Sequence, residues 1–213
     1  MKLRIALLSL LALCLAVVPA VAQNDIYDNG PTNGTTDAWT VNFGFAVSDS
    51  FSLGSASTIG SLNFATWMTP GDTLTSAEVL ITDAEFGGNT FFDQTVSFTQ
   101  SGCVSNQYGF NVCNETGSIG ASLNAGTYWL TIQNAASTLG DPVYWDENSG
   151  PSSASQNTLG TVPSESFTLL GGTGPGPGTG PGSGPGTTPE PSSIMLFGSG
   201  ILGLAGVLRR KLF

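Results

Sequence analysis

The sequence contains no histidine and very few basic side chains, and this lack restricts its chemistry more than any other feature. Its 213 residues include 5 Lys and Arg residues and 15 Asp and Glu residues. The basic residues lie only at the two ends, so residues 5–208 contain no Lys, Arg or His. Nucleic-acid binding by this segment is nearly excluded because phosphate groups require basic side chains to neutralise them. A Ser–His triad, a histidine-based zinc site and a lysine Schiff base are excluded because their essential residues are absent.

Charged residues are also scarce, at 9% of the chain, although about 25% is usual for soluble proteins. The chain nevertheless contains 12 Phe, 4 Trp and 4 Tyr residues. Disordered chains lack the aromatic side chains that offset the entropy cost of folding. We therefore expect one folded domain, at residues 23–170, between two terminal segments of different composition.

The N-terminal segment has the three parts of a secretory signal peptide. Lys2 and Arg4 form a basic region, residues 5–18 form an apolar run, and small residues follow up to Ala22. This order predicts a helical signal peptide at residues 1–22 that is cleaved after Ala22. The alternative is an uncleaved membrane anchor.

The C-terminal segment is predicted to be a linker followed by a membrane-spanning helix. Residues 171–188 consist only of Gly, Pro, Thr and Ser, a composition typical of a flexible linker. The apolar stretch 194–208 would form a single transmembrane helix of about 22 Å, which is short for a hydrocarbon core of roughly 30 Å. The basic tail, Arg209, Arg210 and Lys211, would remain in the cytoplasm and keep the domain outside. The alternative is a buried core helix.

The segment between these ends shows the period of two that is typical of β-strands. Trp39, Val41, Phe43, Phe45 and Val47 alternate with small or polar residues, which predicts one strand with a buried face. Similar patterns predict strands near 51–53, 62–64, 77–81, 96–98, 108–112, 119–123, 128–132, 143–145 and 167–169. Nine or ten short strands separated by turn sequences predict an all-β fold, an antiparallel β-sandwich of jelly-roll type. A closed barrel is the alternative.

Two cysteines, Cys103 and Cys113, remain once Cys14 has left with the signal peptide. Export places them in an oxidising compartment, where an even number of cysteines favours one disulfide. The alternative is a pair of free buried thiols.

The C-terminal residues resemble a known sorting signal. Pro189, Glu190 and Pro191, the short apolar helix and the basic cluster are similar to the PEP-CTERM signal, which here covers residues 189–213. The resemblance implies processing by an exosortase, a membrane-embedded Cys protease-transpeptidase of Gram-negative bacteria that make exopolysaccharide. It also implies export, a membrane-anchored precursor and delivery to the cell surface or the medium.

The folded domain has a wider resemblance to the β-sandwich ectodomains that PEP-CTERM proteins often carry. The similar stretches are residues 27–31, 125–130, 143–145 and 166–167. This resemblance implies a fold and a location, but no biochemical activity.

Pairs of carboxylates are the only candidates for catalysis. Asp83 and Glu85 are two residues apart, and Asp146 and Glu147 are adjacent. A glycosidase requires two carboxylates about 5–10 Å apart, but an acidic chain contains such pairs by chance. We therefore predict no catalytic residue, no enzyme activity, no cofactor and no metal.

One structural Ca²⁺ is the alternative to a metal-free domain, because loop carboxylates can bind it outside the cell. Two loops contain suitable groups, namely Asp25, Asp28 and Asn29 in one and Asp141, Asp146 and Glu147 in the other. Neither loop has the spacing of a known calcium motif, so no ligand set is assigned.

Three tryptophans, Trp67, Trp129 and Trp145, are candidates for sugar contacts, because aromatic faces stack on pyranose rings. Packing in the core or at a sheet edge is the alternative for each. The preferred interpretation is an exported, non-catalytic surface or biofilm-matrix protein. A carbohydrate-binding module for exopolysaccharide, with or without Ca²⁺, is the alternative, and a carboxylate-based hydrolase is a third.

Overall fold

The computed structural model describes residues 24–172. The signal peptide, nearly all of the linker, the Pro189–Pro191 motif, the helix predicted at 194–208 and the basic tail lie outside the described residues. Within residues 24–172, no helix has the length and apolar character needed to cross a membrane.

The described residues form twelve β-strands. They are β1 (Asp25–Asp28), β2 (Ala38–Thr40), β3 (Ala46–Leu53), β4 (Ser57–Met68), β5 (Leu74–Ala84), β6 (Gly87–Ser105), β7 (Asn111–Leu123), β8 (Gly126–Ser137), β9 (Tyr144–Asp146), β10 (Ala154–Gln156), β11 (Gly160–Val162) and β12 (Phe167–Gly171).

All the strand pairs are antiparallel, and they form one continuous sheet that curls into a half-barrel. The strand order is β1-β12-β4-β7-β6-β5-β8-β3-β10-β11, with β2 paired to β9 and β9 also paired to β4. The long strand β6 joins the two halves, because it pairs with β5 as far as Ser97 and with β7 from Phe98 onward. The prediction of an all-β antiparallel fold is confirmed.

Side chains from both halves of the sheet pack in one hydrophobic core. The ring centroid of Trp145 lies 5.8 Å from those of Phe64 and Phe167. Phe167 in turn lies 6.4 Å from Phe51 of β3, which belongs to the other half. All four side chains are buried. These rings therefore connect the two halves and contribute strongly to stability, because each buries a large apolar area.

The strand predicted from Trp39 to Val47 is interrupted, so that prediction is wrong. Strand β2 ends at Thr40 and β3 begins at Ala46, and a turn lies between them. The Phe45 N–H donates to the Asn42 carbonyl at 3.0 Å, and Phe43 and Gly44 have φ angles of 56° and 88°. Two successive positive φ values define a type I′ turn. Phe43 and Phe45 are consequently 66% and 36% exposed instead of buried.

Both ends of the described chain lie at the same end of the sheet. The Gly171 N–H donates to the Asn24 carbonyl at 2.8 Å. Strand β4 pairs with β7 from Ser57 at this end to Met68 at the other. The tip of the β6–β7 hairpin, residues 106–110, therefore lies at the end opposite the start of the linker.

The predicted disulfide between Cys103 and Cys113 is present and closes this hairpin tip. Its sulfur atoms are 2.08 Å apart, and the two Cα atoms are 4.1 Å apart. Cys113 is buried in β7, whereas Cys103 is exposed in β6. The bridge fixes the tip against the body of the sheet.

Candidate functional site

The most unusual feature of the domain is a group of buried acidic side chains. Asp49, Glu115, Asp146, Glu147 and Glu165 are all buried. Because residues 24–172 contain no Lys, Arg or His, no basic side chain of this segment can pair with these carboxyl groups. Burial without a cationic partner disfavours the charged form of a carboxyl group.

Asp146 is the best satisfied of these acids. Its Oδ2 accepts the Asn33 N–H at 2.7 Å, and its Oδ1 accepts the Gly34 N–H at 2.7 Å and the Trp67 Nε1–H at 2.6 Å. Gly34 has a φ of 67° and packs against Val112, which explains why glycine is present there. Burial raises the pKa of Asp146, although these three donors act to lower it. Asp146 therefore anchors the loop between β1 and β2 to the sheet.

Asp49 belongs to a network centred on Asn29. The Nδ2 atom of Asn29 has four oxygen neighbours at 2.6 to 3.0 Å, which are Asp49 Oδ2, Ser152 Oγ, Ser164 Oγ and the Glu165 carbonyl. Asp49 Oδ2 also accepts the Glu165 N–H at 2.7 Å, whereas its Oδ1 has no partner. Burial raises the pKa of Asp49 to about 6, although hydrogen bonds from Ser152, Glu165, Ser50 and Asn29 oppose this rise.

Tyr27 fixes the orientation of the Asn29 amide. Its hydroxyl donates to Asn29 Oδ1 at 2.7 Å, so the amide nitrogen must point toward the four oxygens. Burial raises the pKa of Tyr27 to about 12, and the nearby Asp49 and Asp28 add to the effect. The hydroxyl therefore remains a donor at any ordinary pH.

Glu147 and Glu165 lie opposite each other on an antiparallel bridge. Glu147 Oε2 accepts the Trp39 Nε1–H at 3.1 Å, but neither side-chain oxygen of Glu165 has a hydrogen-bond partner. Burial raises the pKa of Glu165 well above its usual value, and Asp49, Glu147, Asp146 and Asp37 add to this rise. Burial also raises the pKa of Glu147, partly offset by Trp39. Glu165 is thus the one member of the group with no donor for its carboxyl oxygens.

Glu115, the last member of this group, and Asp72 stabilise other parts of the sheet. Glu115 Oε1 accepts bonds from Thr66 and Gln100, both at 2.9 Å, and burial raises its pKa. Asp72 connects the β4–β5 and β8–β9 loops by accepting bonds from Thr73, Ser137, Thr138, Leu139 and Asp141. Burial acts to raise the pKa of Asp72, but the hydrogen bonds outweigh it and lower this pKa to about 2.

Three of the four carboxylates considered for catalysis accept hydrogen bonds from neighbouring residues of the domain. Asp83 accepts bonds from the N–H and Nδ2 of Asn89, both at 2.7 Å, and Glu85 lies exposed in the β5–β6 turn. Asp146 holds a loop, and Glu147 bonds to Trp39.

Residues of the two loops considered for Ca²⁺ also form hydrogen bonds within the domain. The Asn29 side chain lies within the oxygen network described above, and Asp28 Oδ1 accepts the Gly30 N–H at 2.9 Å. In the part of the chain that the structure describes, no three His, Cys, Asp or Glu side chains are grouped so that they could hold a metal ion.

Two of the three candidate sugar-binding tryptophans are inaccessible, so the sequence-based assignment needs correction. Trp145 is 0% exposed and its Nε1–H donates to the Ser166 carbonyl, whereas Trp67 is 5% exposed and bonds to Asp146. Neither can offer a ring face to a ligand. Trp129 is half-buried in β8, on the face opposite the buried Tyr128.

Sequence reasoning missed an exposed aromatic residue, Tyr108, at the hairpin tip. Its ring lies 5.6 Å from that of Trp67 at an interplanar angle of 21°, and its hydroxyl donates to the Thr35 carbonyl at 3.2 Å. Tyr108 remains 53% exposed, so one face of its ring packs on Trp67 and the other face is accessible to solvent. The only available signal was its position between two cysteines. Glu165 was also missed, since a single acid between two serines shows no pattern.

Comparison with known protein families gives one match, the PEP-CTERM protein-sorting motif at residues 187–211. No curated protein matches the chain at a significant level. The matched residues lie outside the described part of the chain and contain Pro189, Glu190 and Pro191, the apolar stretch and the basic cluster. This chain therefore carries a PEP-CTERM sorting motif, as its sequence predicts, and joins it to a β-rich domain.

Proposed function

We propose that this protein is an exported, non-catalytic component of the cell surface or extracellular matrix. The observation that carries the proposal is the PEP-CTERM motif at residues 187–211, placed after a Gly/Pro-rich linker and a folded β-domain. The motif implies an exosortase-type enzyme as the processing partner and a membrane-anchored precursor in a Gram-negative bacterium. The domain would have a jelly-roll-like sandwich fold, and the linker would attach it at one end.

The arrangement of the domain supports surface display. Residues 24 and 171 lie side by side at one end of the sheet, and the disulfide-closed hairpin tip lies at the other. The hairpin tip therefore lies at the end of the domain opposite residue 171, where the linker begins. A disulfide is also typical of proteins in oxidising compartments outside the cytoplasm.

A non-catalytic role is supported by the way the acids are used. The buried carboxyl groups that accept hydrogen bonds hold loops and strands, as Asp146 holds the Asn33–Gly34 loop. General acid–base catalysis requires a titratable group within reach of a substrate, whereas these groups are buried in the body of the sheet.

The sorting proposal is tested by changing Pro189, Glu190 and Pro191 to alanine in a host that has an exosortase-type enzyme. We expect the variant to remain in the membrane fraction at the size of the precursor, while the wild type is shortened and moves to the surface or the medium. Changing Pro175 and Pro177 of the linker to alanine is the matched control and should leave processing intact. Identical size and location for the wild type and the triple variant would refute the proposal.

A second candidate function, a carbohydrate-binding module for exopolysaccharide, is favoured by the open ring face of Tyr108. Half-exposed Trp129 is the other ring available for stacking. The test is electrophoresis in gels containing exopolysaccharide from the producing bacterium, with and without Ca²⁺, using Tyr108→Ala and Trp129→Ala. Phe43→Ala is the control, because Phe43 is also exposed but lies in the turn between β2 and β3. Equal migration of the wild type in gels with and without the polysaccharide would exclude this function.

A further inference from the structure

The carboxyl groups of Glu147 and Glu165 occupy the same side of an antiparallel bridge. Hydrogen bonds from Asn148 N–H to the Ser164 carbonyl, at 2.7 Å, and from Ser166 N–H to the Asp146 carbonyl, at 2.9 Å, flank the pair. This pattern makes Glu147 and Glu165 a non-hydrogen-bonded pair, the kind in which opposite Cα atoms are closest, at about 4.5 Å. Their side chains therefore point into one shared space.

Acidic groups surround that space, and solvent reaches little of it. Glu165 is 0% exposed and Glu147 is 8% exposed. The charged and titratable groups that act on Glu165 from neighbouring elements are Asp49 of β3, Asp146 of β9, Glu147 and Asp37. Every one of them is acidic, and residues 24–172 contain no basic side chain to offset them. Two ionised carboxylates would repel each other strongly here, because like charges disfavour ionisation at a buried site.

We propose that the Glu147–Glu165 pair is a buried proton-binding site that keeps at least one proton near neutral pH and thereby joins the segment after β9 to the segment before β12. A retained proton supplies the donor that the Glu165 oxygens otherwise lack. The reaction is proton exchange with solvent alone, so no other reactant is needed. The two carboxyl groups then titrate as a coupled pair.

The position of the pair connects it to the rest of the candidate site. The main chain of Glu165 donates to Asp49 and accepts from Asn29, and Glu147 binds the Trp39 indole. Glu165 also comes just before β12, the strand that leads to the linker. Loss of the proton therefore weakens both the packing of β12 and the hydrogen-bond network around Asn29.

The direction of the effect follows from the raised pKa values of both glutamates. A group whose pKa is higher in the folded than in the unfolded state contributes stability that is complete below the unfolded value, near 4.5. That contribution is lost as the pH rises through the folded value. The pair therefore stabilises the domain in acid and destabilises it in alkali.

The test compares urea unfolding of the full chain, purified in a mild detergent, at pH 5 and pH 8.5. Tryptophan fluorescence reports unfolding because Trp145 is buried. Glu165→Gln mimics the protonated acid at every pH. We expect the folding equilibrium constant of the wild type to fall at least tenfold more between the two pH values than that of the variant, since one pKa unit corresponds to a factor of ten.

Exposed Glu85 supplies the matched control, and Glu85→Gln should show the same pH dependence as the wild type. Equal pH dependence of Glu165→Gln and the wild type would overturn the proposal. The same measurements with Ca²⁺ and with a chelator distinguish whether the glutamate pair binds a proton or a metal ion. A Ca²⁺-dependent recovery of wild-type stability at pH 8.5, absent in Glu165→Gln, would identify a cation site and overturn the proposal as well.

If Glu165→Gln does not fold, a measurement on the wild-type protein still tests the proposal. Carboxyl ¹³C NMR of the full chain from pH 4 to pH 9 follows the assigned Glu147 and Glu165 signals directly. We expect at least one of the two signals to keep changing above pH 6. Complete transitions of both signals below pH 5 would show that no proton is retained and would overturn the proposal.

Discussion

We predict that the folded domain is most stable near pH 4, because Asp49 and Asp72 have pKa values shifted in opposite directions. Burial raises the pKa of Asp49 from 3.8 to about 6. Its contribution to stability is therefore complete below pH 3.8 and is lost as the pH rises through about 6. Most proteins are most stable between about pH 5 and 8, so an optimum near pH 4 is a distinctive expectation.

Asp72 sets the acid side of this optimum. Its folded-state pKa is lowered from 3.8 to about 2, because hydrogen bonds outweigh the effect of burial. Its contribution is present above pH 3.8 and is lost as the pH falls through about 2. Between about pH 5 and 7 Asp72 is ionised in both states, so it does not mask the effect of Asp49 there.

The size of the alkaline loss follows from the shift of Asp49, which is fully buried. A shift from 3.8 to about 6 corresponds to about 3 kcal/mol at 1.36 kcal/mol for each pKa unit. A loss of this size is a large part of the 5–15 kcal/mol that stabilises a typical domain. The other buried acids with raised pKa values, Glu115, Asp146, Glu147 and Glu165, act in the same direction.

Asp49→Asn isolates this contribution. Asp49 Oδ1 has no partner, so an amide nitrogen can replace it while the remaining oxygen keeps the bonds from Asn29 and Glu165. Urea unfolding between pH 3.5 and 8 should show that the variant loses about 3 kcal/mol less than the wild type over this range. Asp93→Asn, at an exposed position of β6, is the control and should follow the wild type. A wild-type optimum above pH 6, or the same pH profile in Asp49→Asn, would refute the reasoning.

Three further predictions concern packing and covalent structure. Phe167→Ala should lower the free energy of unfolding by about 3–5 kcal/mol in urea melts, because it leaves a cavity between the two halves of the sheet; a loss below 1 kcal/mol would contradict this. Reduction of the Cys103–Cys113 bridge, which spans 10 residues, should cost about 2–3 kcal/mol and lower the melting temperature; an unchanged melting temperature after confirmed reduction would oppose it. Gly150→Ala should cost about 1–3 kcal/mol, because its Cβ would overlap the Asn29 carbonyl, whereas Gly120→Ala has open space and should be neutral.

The strands with strict alternation could be predicted from sequence. In β7, every second residue from Cys113 to Leu123 is buried and those between are exposed. The period of two was visible in the apolar residues from Ile119 to Leu123, but not at Glu115 and Gly117, which are buried without being large and apolar. The sequence therefore predicted separate strands near 108–112 and 119–123, whereas the structure has one strand that begins at Asn111. The interruption after Thr40 was not visible, because the apolar alternation continues through Phe43 and Phe45. The turn is determined by positive φ at Phe43 and by the Asn42 hydrogen bonds, and neither changes the apolar pattern.

Three short strands, β1, β10 and β11, were missed, and the reason for β10 and β11 is related. Strand β10 consists of Ala154, Ser155 and Gln156, which are all buried although two are polar. Strand β11 contains a single large apolar residue, Val162. These strands form because β3 offers a free edge to β10 and β10 offers one to β11. Their formation depends on pairing with distant residues and cannot be recognised in the local pattern.

The candidate site was even less accessible to sequence reasoning, because its members come together only in the folded chain. Asp49 and Glu165 are 116 residues apart in sequence yet bonded through the Glu165 N–H. Asp146 and Glu147 were recognised as adjacent acids, but their burial and their partners were not. Only the absence of basic residues was readable in advance, and it determines how all of these acids must be satisfied.

That absence also changes how the tryptophans should be interpreted. In most proteins a buried carboxylate is paired with Lys or Arg, but here the indole N–H groups of Trp39 and Trp67 donate to Glu147 and Asp146. An indole donates one hydrogen bond and carries no charge, so it satisfies an oxygen without stabilising ionisation as a cation would. The acids consequently keep raised pKa values. Of the three tryptophans that suggested sugar binding, Trp67 thus belongs to the hydrogen-bond network that satisfies the buried acids.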